Sequence, residues 1–187
     1  MSWVNQTLVK KLNALATGYV DAYTSQKAHL PICDKDLEWV SICEQGKHDD
    51  TSNYWKPATA PEELTFENVE EALELKLHSD IKTYFTTLFS DQLLVKCSEG
   101  ELLLLFAWNL DDFERLQENI IGHVLMKQKL KQAVTLFFAI TDDDDYILSL
   151  NNDSGEVWVE RVGCEPHKKL ANTLSEFIAT LSPIIPE

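Results

Sequence analysis

Glycine is scarce in this chain, with 6 among 187 residues. That leaves little material for a loop whose backbone cradles phosphate. No dinucleotide fingerprint, P-loop or Gly-x-Ser-x-Gly nucleophile elbow occurs. The five histidines lack the i,i+4 partners that ligate zinc on a helix. Cys33, Cys43, Cys97 and Cys164 form no close pair and no metal-ligand spacing, so reduced, mostly buried thiols in a reducing compartment are expected. Long apolar runs are missing too. The longest, residues 102–108, falls far short of the ~20 residues that span a bilayer. Residues 1–23 hold Asn5, Lys10, Lys11 and Asn13, which break up any signal-peptide core.

Positive charge is the other shortage. The chain has 16 Lys and Arg against 31 Asp and Glu, a formal charge of -15. The excess is uneven: residues 34–80 carry thirteen acids and four bases, nine net negative charges. Such a surface repels nucleic acid and anionic lipid and attracts basic partners. Carboxylates this numerous make chance neighbours common, so a pair of them is no argument for acid–base catalysis. Asp142 to Asp145 resemble the start of a calcium loop, but Ile147 stands where a loop beginning at Asp142 needs its glycine, and Asp153 where it needs glutamate. A solvated turn is expected there, with no metal and no cofactor. His123, beside Gly122, is the best candidate base, yet a lone helical histidine is more often packed or hydrogen-bonded. The chain is not expected to be an enzyme.

With 44% apolar and 25% charged residues the composition is globular, and the length fits one domain. Apolar residues at helical spacing predict a first helix over 2–26 (Val4, Leu8, Leu12, Leu15, Tyr19, Tyr23), with Gly18 costing about 1 kcal/mol unless close packing requires it. A strand is expected over 39–43 and a polar loop over 46–61, whose Tyr54 and Trp55 should cover a core edge. A helical segment over 79–89 precedes two strands, 93–97 and 101–107, joined as a hairpin; the second is apolar on both faces and should lie centrally. Residues 133–140 read as another central strand. A hairpin over 146–162 turns on Asn151-Asn152-Asp153-Ser154-Gly155. A final helix is expected over 168–181, stopped by Pro183. No repeat or linker divides the pattern, which predicts a single α+β domain over 1–187.

Two helices bear on function. Thr65 can cap the second, with Leu64 and Val69 as a staple and Phe66, Val69, Leu73 and Leu77 turned inward. Glu67, Glu70, Glu71 and Glu74 fall at i, i+3, i+4 and i+7 with no base in the stripe. Each like-charged pair costs about 0.2–0.5 kcal/mol. The stripe is either a solvated face or a docking surface. The third major helix starts at Asn109, with Asp111 and Asp112 near its positive end and Trp108 able to staple onto Phe113. Its inward residues are Phe113, Leu116, Ile120, Val124 and Leu125, and Lys127, Lys129 and Lys131 suit its C-terminal dipole. Gly122 marks a close crossing or the approach of another backbone.

The segment Trp108-Asn109-Leu110-Asp111-Asp112-Phe113-Glu114-Arg115-Leu116-Gln117-Glu118-Asn119-Ile120-Ile121-Gly122-His123 resembles the signature of the Syd family, the bacterial SecY-interacting proteins. Tyr54-Trp55-Lys56-Pro57, Tyr84-Phe85-Thr86-Thr87, Ser154-Gly155-Glu156-Val157, Leu170-Ala171 and Glu176-Phe177 agree with it. Residues 32–52 and the four-Asp turn depart from it, which bears on loop contacts. The resemblance implies a SUKH-like α+β fold: a mostly antiparallel or mixed sheet flanked by helices, with a concave face. It also implies a cytosolic protein, peripherally associated with the inner membrane, that binds SecY of the protein-export channel and checks translocon assembly. Cytoplasmic loops of membrane proteins are rich in Lys and Arg. An acidic concavity would be steered to them and repelled by lipid head groups, so association through protein rather than lipid is expected. Helical geometry nominates Glu67, Glu70, Glu71 and Glu74 with Asp111, Asp112, Glu114 and Glu118 for that surface. A monomer that binds no nucleic acid is expected. The alternatives are an immunity-type inhibitor of a basic toxin and, more remotely, an enzyme using His123.

Overall fold

A computed structural model describes residues 3–187. Its frame is a fully antiparallel seven-stranded sheet in the order β11-β10-β9-β8-β7-β6-β12. The strands are β6 (Leu93–Cys97), β7 (Gly100–Leu104), β8 (Thr135–Thr141), β9 (Tyr146–Asn151), β10 (Val157–Arg161), β11 (Pro166–Ala171) and β12 (Ser182–Pro183). The apolar strands β7 and β8 lie in its interior, as their two-sided hydrophobicity requires. Both prolines within the sheet sit on edge strands, β11 and β12, where a missing N–H costs no ladder bond. A second sheet orders β1 (Ile32–Asp34), β3 (Ser52–Trp55) and β2 (Glu44–Lys47), and β4 (Ala58–Thr59) pairs with β5 (Leu88–Phe89).

Helices cover the large sheet on both faces. Phe138 of β8 packs on Tyr84 of α3 (Ser79–Thr87) and Phe177 of α5 (Leu174–Ala179). The long α1 (Gln6–Lys27) lies against both these helices. Phe137, the next residue along β8, instead meets His123 of α4 (Leu110–Lys129), which lies against β8. The short α2 (Glu67–Leu73) rests on α4. One hydrophobic core runs from Leu8 to Leu181 and draws on all five helices described and on the large sheet. The fold is α+β, as the pattern predicts.

Several local expectations change. α1 is capped by Asn5, whose side chain accepts from Leu8 N–H at 3.1 Å; the expected start at Ser2 lies outside the described residues. Residues 39–43 form a turn, because the Ser41 hydroxyl and the Glu44 carboxylate take the N–H groups of Cys43 and Ser41 that a ladder would use. The polar stretch 46–61 is strand-forming, supplying β3 and β4; within it Trp55 is buried against Tyr19 and Trp108, covering a core edge as expected. The C-terminal helix is split: residues 166–171 are strand, and α5 begins at the Thr173 cap, which accepts from Glu176 N–H at 3.1 Å. Leu125 is 52% exposed, while Gln117 and Lys127 take inward positions on α4. A Cβ on Gly18 or Gly122 would meet nothing within 4 Å, so neither marks a close crossing. Cys43 is buried, but Cys33 and Cys97 are half-buried and Cys164 is exposed; all four are free.

Candidate docking surface

The site is organised by the first turn of α4. Asn109 Oδ1 accepts from Asp112 N–H at 2.9 Å, and Asp112 Oδ2 accepts from Trp108 N–H at 2.8 Å, a reciprocal cap that satisfies two donors at the helix end. The other Asp112 oxygen takes Arg115 Nη2 at 2.5 Å, and the Arg115 guanidinium lies 5.5 Å from the centre of the Trp39 ring. Trp108 and Asn109 also reach the preceding loop. Trp108 Nε1 donates to Trp39 O at 3.0 Å, Asn109 Nδ2 donates to Val40 O at 3.1 Å, and Ser41 Oγ donates to Trp108 O at 2.5 Å. Phe113 packs edge-on against Phe66 of the α2 entry, their ring centres 5.3 Å apart.

Three depressions surround this turn. A cleft of about 590 Å3 is walled by Trp39, Trp108, Phe106 and Phe137 and holds Asp34, Asp36, Asp91 and Asp112 with Arg115. Desolvation raises the Asp91 carboxyl, the Gln92 N–H opposes that, and the nearby Asp112 adds to it. A groove of about 510 Å3 between α2 and α4 is edged by Glu63, Glu67, Glu71 and Glu114. Its walls are fixed by Gln117, which exchanges amide hydrogen bonds with Asn68 at 3.1 and 3.2 Å and donates to Thr65 O at 2.9 Å. The third depression, about 410 Å3, shares Leu110 with the groove and is lined by Leu37, Val40, Ile42, Glu38 and Asp111.

The residues nominated by helical spacing divide accordingly. Glu67, Glu71 and Glu114 come together at the groove, and Asp111 borders the third depression. Glu74 and Glu118 are exposed but line none of the three. Asp112 is half-buried with both oxygens committed to capping and Arg115. Glu70 must be removed from the surface. It is 7% exposed, accepts from Leu77 N–H at 2.9 Å, and bridges Lys82 at 3.0 Å and Lys76 at 3.1 Å.

The stripe fails at Glu70 because α2 ends at Leu73. Glu74 adopts a left-handed φ of 49°, its N–H bonds Glu71 O at 3.3 Å, and Leu75 N–H bonds Glu70 O at 3.1 Å. That is a Schellman closure made without glycine. The chain then folds back, bringing Lys76, Leu77 and Lys82 onto Glu70. Thr65 does not take the expected capping position. The N-cap of α2 is Phe66, which makes no side-chain cap bond, and Thr65 Oγ1 accepts from Glu67 N–H at 3.1 Å one residue before it, as a local turn bond. Glu63 and the apolar group Leu37, Val40 and Ile42 escape sequence reasoning: the first precedes the helix, and the others resemble an inward-facing strand.

A separate polar cluster lies beneath α4. Glu160, fully buried, accepts from Thr135 Oγ1 at 3.0 Å and Ser149 Oγ at 2.7 Å, with Lys127 Nζ at 3.5 Å and His123 Nε2 at 3.6 Å. Lys127 also donates to Cys164 O at 2.8 Å, and His123 Nε2 lies 3.1 Å from Thr135 Oγ1. Desolvation lowers the His123 pKa, Glu160 pulls it up, and Lys127 pushes it down further. His123 is thus a packed, hydrogen-bonded residue. Among the described residues no group of three or more His, Cys, Asp or Glu could hold a metal ion, and no helix is long and apolar enough to cross a membrane. The Asp142 to Asp145 segment is an exposed turn, with Asp145 paired to Arg161 at 3.0 Å.

Comparison with known proteins relates the chain to one family. A family model described as Syd protein (SUKH-2) matches residues 9–183. A relative named Protein Syd from Colwellia psychrerythraea is 51% identical, over 97% of this chain and 96% of its own length. Proteins of the same name from Alteromonas mediterranea and Yersinia pseudotuberculosis are 45% and 38% identical, over 95% and 94% of this chain and 97% and 96% of theirs.

Proposed function

Because the chain belongs to the Syd family, we propose that it is an accessory protein that binds the cytoplasmic face of SecY through an acidic surface around the first turn of α4, and monitors translocon assembly. The observation that carries this reading is the groove between α2 and α4, where Glu63, Glu67, Glu71 and Glu114 converge and no Lys or Arg is among the described lining residues. Like charges held this close lower stability slightly. They are compensated when a basic loop enters, which favours encounter with Lys- and Arg-rich segments and disfavours anionic lipid. The cleft walled by Trp39 adds Asp34, Asp36 and Asp91 to the acidic surface, against one base, Arg115, among its described lining residues. Such a protein works at the inner membrane by holding SecY rather than lipid, as a monomer, without nucleic acid or cofactor and without catalysis. The shared name of the relatives gives no support to the toxin-inhibitor alternative.

The test is co-sedimentation with vesicles containing SecY complexes and with protein-free liposomes of the same lipids. Binding to the former alone is expected, weakening as salt rises, since exposed charges are screened over about 8–10 Å. Reversing Glu67, Glu71 and Glu114 to Lys should weaken binding and flatten its salt dependence while leaving the fold intact. Equal binding to bare liposomes would overturn the reading.

A further inference from the structure

We propose that the depression lined by Leu37, Val40, Ile42 and Leu110 is an anchor pocket for one large apolar side chain of a partner segment whose flanking residues are Lys or Arg. The inference rests on the docking reading above and specifies the partner's chemistry. These side chains are 80%, 57%, 56% and 52% exposed, and they make up four of the seven exposed large hydrophobics among the described residues. They gather on one depression with Pro61 and Phe89 instead of scattering. Clustered apolar exposure of this kind marks an interaction site, whereas single exposed leucines do not.

The pocket is held open by the polar side of its own loop. Trp39, Val40 and Ser41 are tied to Trp108 and Asn109 by three hydrogen bonds, so the backbone faces α4 while Leu37, Val40 and Ile42 face outward. An apolar side chain entering it would meet a surface already ordered, which lowers the entropic cost of binding. The charges select the occupant. Glu38 and Asp111 line the pocket, Glu63, Glu67, Glu71 and Glu114 edge the groove that shares Leu110, and no base is among the described lining residues of either. A second copy of this chain docked about a two-fold axis would set these carboxylates against their own equivalents, which is repulsive. A basic segment with an apolar centre satisfies both parts of the surface.

The probe is SecY-containing vesicles, with binding of the full chain measured at low and at physiological salt. Leu37→Ser and Ile42→Ser, both on exposed side chains, should each raise Kd about tenfold, by the same factor at both salt levels, because the lost burial is apolar. Reversal of Glu67, Glu71 and Glu114 should instead lose most at low salt. Serine variants that bind like wild type, beside a charge reversal that weakens binding, would overturn the anchor and leave acidic docking standing. Absence of wild-type binding above bare liposomes would overturn both. A concentration-dependent dimer that Ile42→Ser dissolves would assign the pocket to a second copy and also overturn the proposal.

Discussion

Replacing Glu70 by Ala should damage the fold, whereas the same change at Glu67 or Glu71 should do almost nothing. The Glu70 carboxylate closes the return of the chain after α2: it takes Leu77 N–H at 2.9 Å and Lys82 Nζ at 3.0 Å, with the Lys82 side chain 14% exposed. Truncation leaves a buried donor unsatisfied and strands a largely buried ammonium, losses of about 1–3 kcal/mol each that overlap. Lys76 is 88% exposed and adds little, at most about 1 kcal/mol. A net loss of about 2–4 kcal/mol follows, equivalent to a drop in Tm of roughly 5–15 °C for a chain of this size. Burial alone would raise the Glu70 carboxyl, but the Leu77 N–H, Lys82 and Lys76 together hold it below its ordinary value. The stabilisation is therefore full above the ordinary glutamate range and is lost as pH falls through the lowered folded value. Urea unfolding at neutral pH should show a lower midpoint with an unchanged slope, and the gap to wild type should close in acid. A Glu70→Ala midpoint matching that of Glu71→Ala would refute the assignment of Glu70 to the core. A charge-reversal set that included Glu70 would confuse unfolding with lost binding.

The left-handed Glu74 should be relieved by Glu74→Gly, which is expected to gain about 1 kcal/mol in thermal unfolding without changing SecY binding, since Glu74 lines none of the three depressions. Gly155 has a φ of +75°, and a Cβ there would come 2.6 Å from the His78 ring. Gly155→Ala should thus cost about 1–3 kcal/mol, and His78→Ala in the same chain should recover part of it in chemical denaturation. His123 has its pKa lowered, chiefly by burial, so the unfolded chain binds its proton first and stability must fall as pH drops below the ordinary histidine value of 6.5. His123→Gln should flatten that part of the pH–stability profile; an unchanged slope would place the titration elsewhere.

The sequence was most legible where local chemistry and tertiary packing agree. Asn109 caps α4, the 151–155 turn closes a hairpin, and the apolar stretches around Leu104 and Phe138 are interior strands, because each depends on neighbours in the chain or on two-sided burial. Periodicity misled where one stripe crossed two elements. Leu170 and Leu174 keep helical spacing although one belongs to β11 and the other to α5, and the cap between them, Thr173 with Glu176 three residues on, was the readable signal. The end of α2 carried no such signal, since glutamate occupies the left-handed position usually given to glycine. Lys127 followed the rule for cations at a helix C-terminus, yet it is fully buried because Cys164 O and Glu160, more than thirty residues away in sequence, receive it. No local pattern could reveal that partner.

The candidate surface divides along the same line. Glu67, Glu71 and Glu114 were reachable from helical geometry, but their meeting depends on Gln117, an inward polar residue that binds Asn68 and the Thr65 carbonyl and so sets the spacing between α2 and α4. Trp108 and Asn109 are likewise more than helix-start residues, because their side chains turn the 36–43 loop so that its apolar side chains face out. The segment 108–123 therefore combines two acts of positioning: Gln117 sets the acidic groove, and Trp108 with Asn109 sets the apolar depression beside it. Loss of the Asn109 side chain would both uncap α4 and release Val40. Loss of the Gln117 side chain would release α2 from α4 and spread the groove without touching any carboxylate in it. An interface built this way is sensitive at residues that carry no charge, so a scan of the acids alone would miss half of what shapes it.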